Sequence, residues 1–305
     1  MLQRIVIFSN ASAGRDPRIL NAAVAVFDQY GIDYEWFSPR DVDDLRRSIS
    51  ALGDNIDAVV IAGGDGTINA ALPAVVKASI PMGVLPTGTA NDFARTLNLP
   101  ADLGEAARVI TEGRMQPLDL GRVNGRLFCN VAHIGFGVRA QTEALNAEHK
   151  KWLRGLSYAV SIWRARRLLT SFTAEVSVDG RTERVRTIHL SVGNGRFYGG
   201  GVPIEADAAI DDNLLDAYSI PPQRGLGLLH AIRDVRRGGL PSSPVWRAKG
   251  QHIVIRTRRP RRVLADGEEV GHTPAEFDLL PRVLSVIVPL GGYAPGLASE
   301  TVSSR

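Results

Sequence analysis

Ala58-Val59-Val60-Ile61-Ala62-Gly63-Gly64-Asp65-Gly66-Thr67-Ile68-Asn69-Ala70 decides how the rest of the chain reads. Its first five residues are a continuous apolar run, the pattern of a strand buried on both faces. The run empties into three glycines, one carboxylate and one hydroxyl, and a helical pattern starts straight afterwards. Such a turn lets phosphate oxygens approach bare backbone N–H groups at a helix N-terminus, where the dipole also favours negative charge. A plain strand-to-helix turn capped by Thr67 is the competing reading. Asp between glycines, with Thr next, favours the phosphate loop.

Working outward, Ile5–Phe8, Tyr34–Phe37 and Met82–Leu85 read as further strands. Ile19–Tyr30, Val42–Leu52, Thr67–Lys77, Ala90–Leu97 and Leu103–Ile110 read as helices. This β-α-β-α order predicts an α/β N-terminal domain, a parallel sheet with helices on both faces. Ligands of such sheets sit at the carboxyl ends of strands. Asn10-Ala11-Ser12-Ala13-Gly14, Gly63–Thr67 and Pro86-Thr87-Gly88-Thr89-Ala90-Asn91 all lie at such ends. In the third, Thr89 or Asn91 is placed to cap the helix that follows. Two Gly/Thr turns on neighbouring strands can form two walls of a nucleotide-phosphate pocket.

From Gln116 the pattern changes to strands and turns. Asn124-Gly125 sits between expected strands Leu118–Val123 and Arg126–Val131, and Asp179-Gly180 between Ala174–Val178 and Arg184–Val192, each a strong two-residue hairpin signal. Further strands are expected at Leu215–Ile220, Ile253–Arg256, Arg262–Ala265, Glu276–Leu280 and Leu284–Val288, with one long helix from Glu143 to Leu169. This half is expected to be a β-rich, β-sandwich-like C-terminal domain.

At 305 residues the chain is long enough for two domains. A net charge of +4 and a pI near 9.4 suit anionic ligands or an anionic membrane surface without requiring either. Cys129 is the only cysteine, so no intrachain disulfide forms and a cytoplasmic home is the default. Met1–Phe8 lacks the basic and long apolar regions of a signal peptide. No apolar window of about 18 residues exists to span a bilayer, so any membrane contact is expected to be peripheral.

Other motifs are weaker alone. Gly135-Phe136-Gly137-Val138-Arg139-Ala140 fits a dinucleotide fingerprint, but no Asp or Glu lies between Lys150 and Thr170 to hold a ribose. Ala209-Ile210-Asp211-Asp212-Asn213-Leu214-Leu215-Asp216 places carboxylates in a turn whose carbonyls can also serve Mg²⁺. Ala265-Asp266-Gly267-Glu268-Glu269 reads either as a hairpin turn or as a carboxylate base for a substrate hydroxyl. The six histidines show no metal-ligand spacing. Arg256–Arg262 holds five arginines in seven residues, and Lys150–Leu169 surrounds an apolar stripe with basic residues. Either can face water or anionic lipid. Aromatics at 6%, with no stacking platform, argue against nucleic acid.

Taken together, Gly63–Thr67 with Asn69, Gly88-Thr89-Ala90-Asn91-Asp92-Phe93, Gly193–Gly201, the Asp211–Asp216 turn and Asp266-Gly267-Glu268 resemble the bacterial diacylglycerol kinase and lipid kinase family, related to sphingosine and ceramide kinases. The resemblance runs from about residue 5 to 290. It implies a nucleotide-binding domain over 1–118, with 289–305 returning to it, and a lipid-substrate domain over 119–288. ATP and acceptor would meet between the two. By the same resemblance Asn10, Ala11, Ser12, Ala13, Gly14, Gly63, Gly64, Asp65, Gly66, Thr67, Ile68, Asn69, Gly88, Thr89 and Asn91 would hold the nucleotide. Glu268 would be the general base, Asp266 its orienter or co-base, and Asp65 the organiser of a Mg²⁺–phosphate network. Asp212, with the carbonyls of Ala209 and Leu214, would hold a structural Mg²⁺.

The chain departs from the family pattern in three places. Its first loop is Asn-Ala-Ser-Ala-Gly rather than Asn-Pro-x-Ser-Gly, Ala70 stands where Glu is frequent, and Asn213 replaces a glycine. The implied activity is an ATP- and Mg²⁺-dependent kinase acting on a membrane lipid from the cytoplasmic side. Rival readings are a kinase of a soluble acceptor such as NAD, a nicotinamide-dependent oxidoreductase built on Gly135–Ala140, and a lipid sensor with a dead site. Oligomeric state stays open, a homodimer included.

Overall fold

A computed structural model describes residues 2–9, 20–135, 170–195, 197–198, 202–203, 210–222 and 246–292. The chain divides into two units: Met1–Leu118 with Gly195–Asp212 and Arg282–Arg305, and Asp119–Asn194 with Asn213–Pro281. In chain order the first elements are β1 (Arg4–Ser9), α1 (Asn21–Gln29), β2 (Asp33–Phe37), α2 (Val42–Ser50), β3 (Ala58–Gly63), α3 (Asp65–Ala78), β4 (Met82–Pro86), α4 (Asp92–Thr96) and α5 (Leu103–Glu112). There follow β5 (Arg114–Val123), β6 (Arg126–Phe128), β7 (Val131–Gly135), β8 (Phe172–Val178), β9 (Arg181–Thr187), β10 (His189–Gly193), β11 (Phe197–Tyr198) and β12 (Val202–Pro203). The last are β13 (Leu215–Ile220), β14 (Trp246–Gly250), β15 (His252–Thr257), β16 (Arg262–Ala265), β17 (Glu268–His272) and β18 (Ala275–Val288).

In the first unit β2, β1, β3 and β4 pair in that order, all parallel, and the end of β18 joins beside β4 through Val286 and Met82. Every residue of β3 is buried, as expected of a strand covered on both faces. Ile5, Ile7, Val60, Ala62 and Leu85 pack one face of the sheet against Phe27, Ala106 and Ile110. Carboxylate caps fix two helix starts: Asp41 accepts from the Asp44 N–H at 2.7 Å, and Asp102 from that of Glu105 at 3.0 Å. Because β2 and β3 lie on opposite sides of β1, the connections diverge between β1 and β3, and that crevice is where open α/β sheets bind ligands.

The second unit is antiparallel. One sheet runs β14-β13-β10-β7-β16-β17, and in the other ladder β18, β15, β8 and β9 are neighbours. Ala132, Ile134, Val192, Ala217 and Val263 of the first share one core with Ala174, Val176, Ile253, Ile255 and Phe277 of the second. Two antiparallel sheets closed over a single apolar layer are a β-sandwich. The α/β plus β-sandwich class expected from the sequence is the one observed.

Some elements differ from expectation. The strands expected at 276–280 and 284–288 are one strand of 14 residues, β18. Pro281 and Arg282, the latter at φ 53°, coincide with the boundary between the units. The strand expected over 184–192 is split into β9 and β10. Residues 195–212, grouped by the sequence reading with the β-rich half, belong to the first unit, where β11 lies beside α4. Expectations for residues 10–14, 136–169, 199–201, 209 and 298–305 fall outside the described residues.

Candidate active site

The two glycine turns of the first unit are interlocked. β3 and β4 end side by side, Gly63 opposite Pro86, and the Thr87 N–H donates to the Gly63 carbonyl at 3.2 Å. Just beyond, the backbones meet: a Cβ on Gly88 would lie 2.5 Å from the Gly64 Cα, and one on Gly64 would lie 2.9 Å from the Gly88 Cα. A Cβ on Gly63 would collide with the Thr67 side chain at 2.5 Å. These three positions are glycine because nothing larger fits. Gly66 differs, since it is exposed and a Cβ there would meet nothing within 4 Å.

Asp65 holds the arrangement together. α3 begins at Asp65, two residues before the expected start, so Asp65 and Gly66 form its first turn. The Asp65 carboxylate accepts from the backbone N–H groups of Asp92 at 3.1 Å and Phe93 at 2.9 Å, the first residues of α4. It therefore caps a helix other than its own. Neither Thr89 nor Asn91 caps α4. Asn91 occupies the N-cap position at φ 51° without a side-chain cap bond, and donates instead to the carbonyls of Pro86 and Gly88 at 3.4 and 3.2 Å. Its Oδ1 is buried without a hydrogen-bond partner. Thr89 is exposed, and Ile68 is buried inside α3 behind the half-buried Asn69. The Thr67 and Ile68 N–H groups donate to the Gly64 carbonyl at 3.0 and 3.1 Å, so the turns present the open Gly66 and the Thr89 hydroxyl at the strand ends.

In the second unit Asp266, at φ 45°, sits in the turn between β16 and β17, and Glu268 opens β17 opposite Ala265. The Asp266 carboxylate accepts from the N–H groups of Cys129 at 2.8 Å and of Asn130 and Val131 at 3.0 Å each. The Cys129 Sγ lies 3.4 Å from the same carboxylate, and the Asp266 N–H donates to the Val131 carbonyl at 2.9 Å. Burial pushes the Asp266 carboxyl up to about 6, against the pull of those donors. Both oxygens are engaged inward, which makes Asp266 an anchor of the turn. Glu268, two residues on, is exposed.

The anchor is part of a longer network. The Asn194 amide donates to the carbonyls of Asp119 at 2.9 Å and Cys129 at 3.1 Å, and its backbone N–H to Asn130 at 2.8 Å. Buried Asp119 accepts from the Asn213 N–H at 2.8 Å, with Asn213 at φ 59° as its place in the acidic turn requires. Hydrogen bonds so connect the 266–268 turn to the turn that carries Leu214. Of the expected metal ligands, Asp212 and Leu214 are described and Ala209 is not. Asp119 is not singled out by the sequence, and Asn194 only as part of the Gly193–Gly201 match. Asp119 gives one signal, a carboxylate flanked by Leu118 and Leu120.

Two other polar groupings are structural. On β7, β10 and β13, buried His133 and His189 stack at 5.6 Å, and the Ser191 Oγ meets His189 Nε2 at 2.7 Å beside buried Tyr218. Burial holds the imidazoles down to about 3 and about 4 and pushes the Tyr218 hydroxyl up to about 12. His252, Glu276 and Asp278 have metal-ligand spacing, but Asp278 is paired to His252 at 2.8 Å and to Arg122 at 3.0 Å. That grouping is an ion-pair cluster. Gly135, the first glycine of the dinucleotide-like motif, has φ 104°, and a Cβ there would lie 2.5 Å from the Ile188 carbonyl. Its glycine is explained by packing.

Residues 4–123 match the diacylglycerol kinase catalytic domain, and residues 132–288 match the YegS C-terminal NAD kinase beta sandwich-like domain. A "Probable lipid kinase YegS-like" protein of Pseudomonas aeruginosa is 30% identical over 297 residues, 94% of each chain. A diacylglycerol kinase of Mycobacterium tuberculosis is 29% identical over 303 residues, 95% of this chain and 96% of its own. Two crystal structures from Bacillus anthracis str. Sterne superpose with TM-scores of 0.76 and 0.73, at 25% and 22% identity, each over 95% of this chain and 97% and 98% of their own. The matches span both units in order. The chain belongs to the family of diacylglycerol kinases and YegS-like lipid kinases.

Proposed function

We propose that the chain is an ATP- and Mg²⁺-dependent lipid kinase that transfers the γ-phosphoryl group to a hydroxyl of a membrane lipid, diacylglycerol or a close relative. It acts from the cytoplasmic side as a peripheral protein. One observation carries this reading: the Asp65 carboxylate binds the Asp92 and Phe93 N–H groups and locks together two phosphate-type turns at the carboxyl ends of β3 and β4, β3 bordering the switch point. Residues 10–14, 63–69, 88, 89 and 91 hold the nucleotide, the open Gly66 allowing the closest phosphate approach.

The acceptor hydroxyl attacks the γ-phosphorus, Glu268 takes its proton, and ADP leaves. A positioned base of this kind contributes roughly 10²–10⁴ in rate. Asp266 acts by holding the turn that carries Glu268. Asp212 and the carbonyls of Ala209 and Leu214 would offer oxygen donors to a structural Mg²⁺. A separate Mg²⁺ of the phosphate network, when bound, would offset phosphate charge. Asp65 keeps the phosphate turns in register and organises the Mg²⁺–phosphate network.

The test is phosphorylation of a lipid panel with labelled ATP, with and without Mg²⁺. Glu268→Gln and Asp65→Ala should lose most label. If they mark lipid as well as the wild type, the residue assignment is wrong. The NAD-kinase-like description of the second domain favours one alternative acceptor. Phosphorylation of NAD in preference to every lipid would move the reading there.

A further inference from the structure

Arginines converge on one end of the second unit. Across three neighbouring strands, Arg184 of β9 lies opposite Glu175 of β8, which lies opposite Arg256 of β15. Arg186 is opposite Thr173, two pairs nearer the same end. The turn after β15 adds Arg258 and Arg259, and Arg262 opens β16. All six arginines are exposed. Among the described residues two carboxylates are paired with them, Glu175 with Arg184 at 3.9 Å and Glu269 with Arg262 at 3.7 Å.

The turn is fixed. The Thr257 hydroxyl donates to the Arg259 carbonyl at 2.8 Å, and the Arg261 N–H donates to the Thr273 hydroxyl at 2.9 Å. Arg261 itself lies over the Phe172 ring, 4.0 Å from its centroid. Arg258 and Arg259 are therefore presented outward by a braced loop. Toward the opposite end of the same ladder, Val254 faces Glu276 and His252 faces Asp278. Those two carboxylates share their end of the ladder with Arg181 and with Arg122, which pairs with Asp278 at 3.0 Å, whereas Glu175 alone stands among the arginines of the ladder's other end.

We propose that this arginine-lined end docks on an anionic phospholipid surface, an inference that rests on the lipid-kinase reading. Charge complementarity selects the occupant. Guanidinium groups spread over a sheet end match a plane of phosphates. The one ring beneath them, Phe172, is buried and offers no stacking platform for nucleic acid.

The test is sedimentation of the full chain with vesicles of phosphatidylcholine alone or mixed with phosphatidylglycerol, scored apart from turnover. The wild type should sediment with the mixed vesicles only, and should be released at about 1 M salt, where the Debye length is about 3 Å. Each arginine near such a surface is worth about a fivefold change in partitioning. The triple variant Arg256→Gln, Arg258→Gln, Arg259→Gln should bind roughly 100-fold more weakly, while the corresponding triple Lys variant should keep its binding. Wild-type binding by the Gln variant, loss of binding by the Lys variant, or equal binding to neutral vesicles overturns the proposal. Retention on DNA with no vesicle binding also overturns it. Arginine-dependent binding with no lipid phosphorylated would sink the kinase reading and leave the docking surface standing. Lipid phosphorylation in detergent, with vesicle binding unchanged in the Gln variant, would do the reverse.

Discussion

Gly64 and Gly88 touch backbone to backbone, with room for a hydrogen and not for a methyl: a Cβ on Gly88 would lie 2.5 Å from the Gly64 Cα. Overpacking a tight contact costs about 1–3 kcal/mol. Gly88→Ala should therefore lower the urea midpoint and weaken ATP binding together. Gly66→Ala, placed where a Cβ meets nothing within 4 Å, should leave the midpoint unchanged or raised and weaken ATP binding alone. An unchanged midpoint in Gly88→Ala would show that the two turns can part without cost.

Asp65 caps α4 from another helix, so its removal leaves the N–H groups of Asp92 and Phe93 without that acceptor. Caps are worth about 0.5–2 kcal/mol. Asp65→Ala should lose that much in equilibrium urea unfolding, in addition to its loss of phosphoryl transfer. Asp65→Asn, which keeps one acceptor oxygen, should recover part of the stability and little of the activity. Full stability in Asp65→Ala would remove the capping role.

The two acidic residues of the 266–268 turn should separate cleanly. Glu268→Gln alters an exposed side chain, so stability should stay within about 0.5 kcal/mol while kcat falls by roughly 10²–10⁴. Asp266→Asn turns an amide N–H₂ toward backbone donors. It should cost about 1–3 kcal/mol in stability as well as activity. Equal stability losses in the two variants would contradict the division between base and anchor.

Acid should destabilise the second unit through its paired imidazoles. His133 and His189 are held down to about 3 and about 4 in the fold, against about 6.5 in the unfolded chain. Below pH 6.5 the unfolded chain binds more protons, so this stability is present above about 6.5 and is lost toward pH 4. Each histidine gives up to about 1.4 kcal/mol per pH unit. Asp266, pushed up to about 6, works with the opposite sign and offsets part of the loss. A net loss of about 2–3 kcal/mol between pH 7 and pH 5 is expected in urea titrations. His133→Leu should flatten the slope, and an equally steep variant would discount the imidazoles.

Local pattern carried the first unit far. The apolar run at 58–62 could only be a doubly covered strand, and both glycine turns lie at the strand ends where periodicity put them. Interlocking was out of reach, because the contact between Gly64 and Gly88 and the cap from Asp65 to α4 depend on tertiary approach. The second unit was harder to read. β17, Glu-Glu-Val-Gly-His, has no apolar alternation and exists by pairing with β16. Pro281 made one strand look like two. The backbone donors around Asp266 carry no side-chain signal, so only the fold shows them.

Cys129, the chain's single thiol, is fully buried with its sulfur against the Asp266 carboxylate. A thiol reagent reaches it only when the segment pairing with Asp266 opens, and local openings of this kind have their own free energies. The protein thus carries a built-in, label-free clock for its acidic turn. Modification rates, taken with and without nucleotide or vesicles, time the opening of the turn that carries Glu268 without any engineered probe.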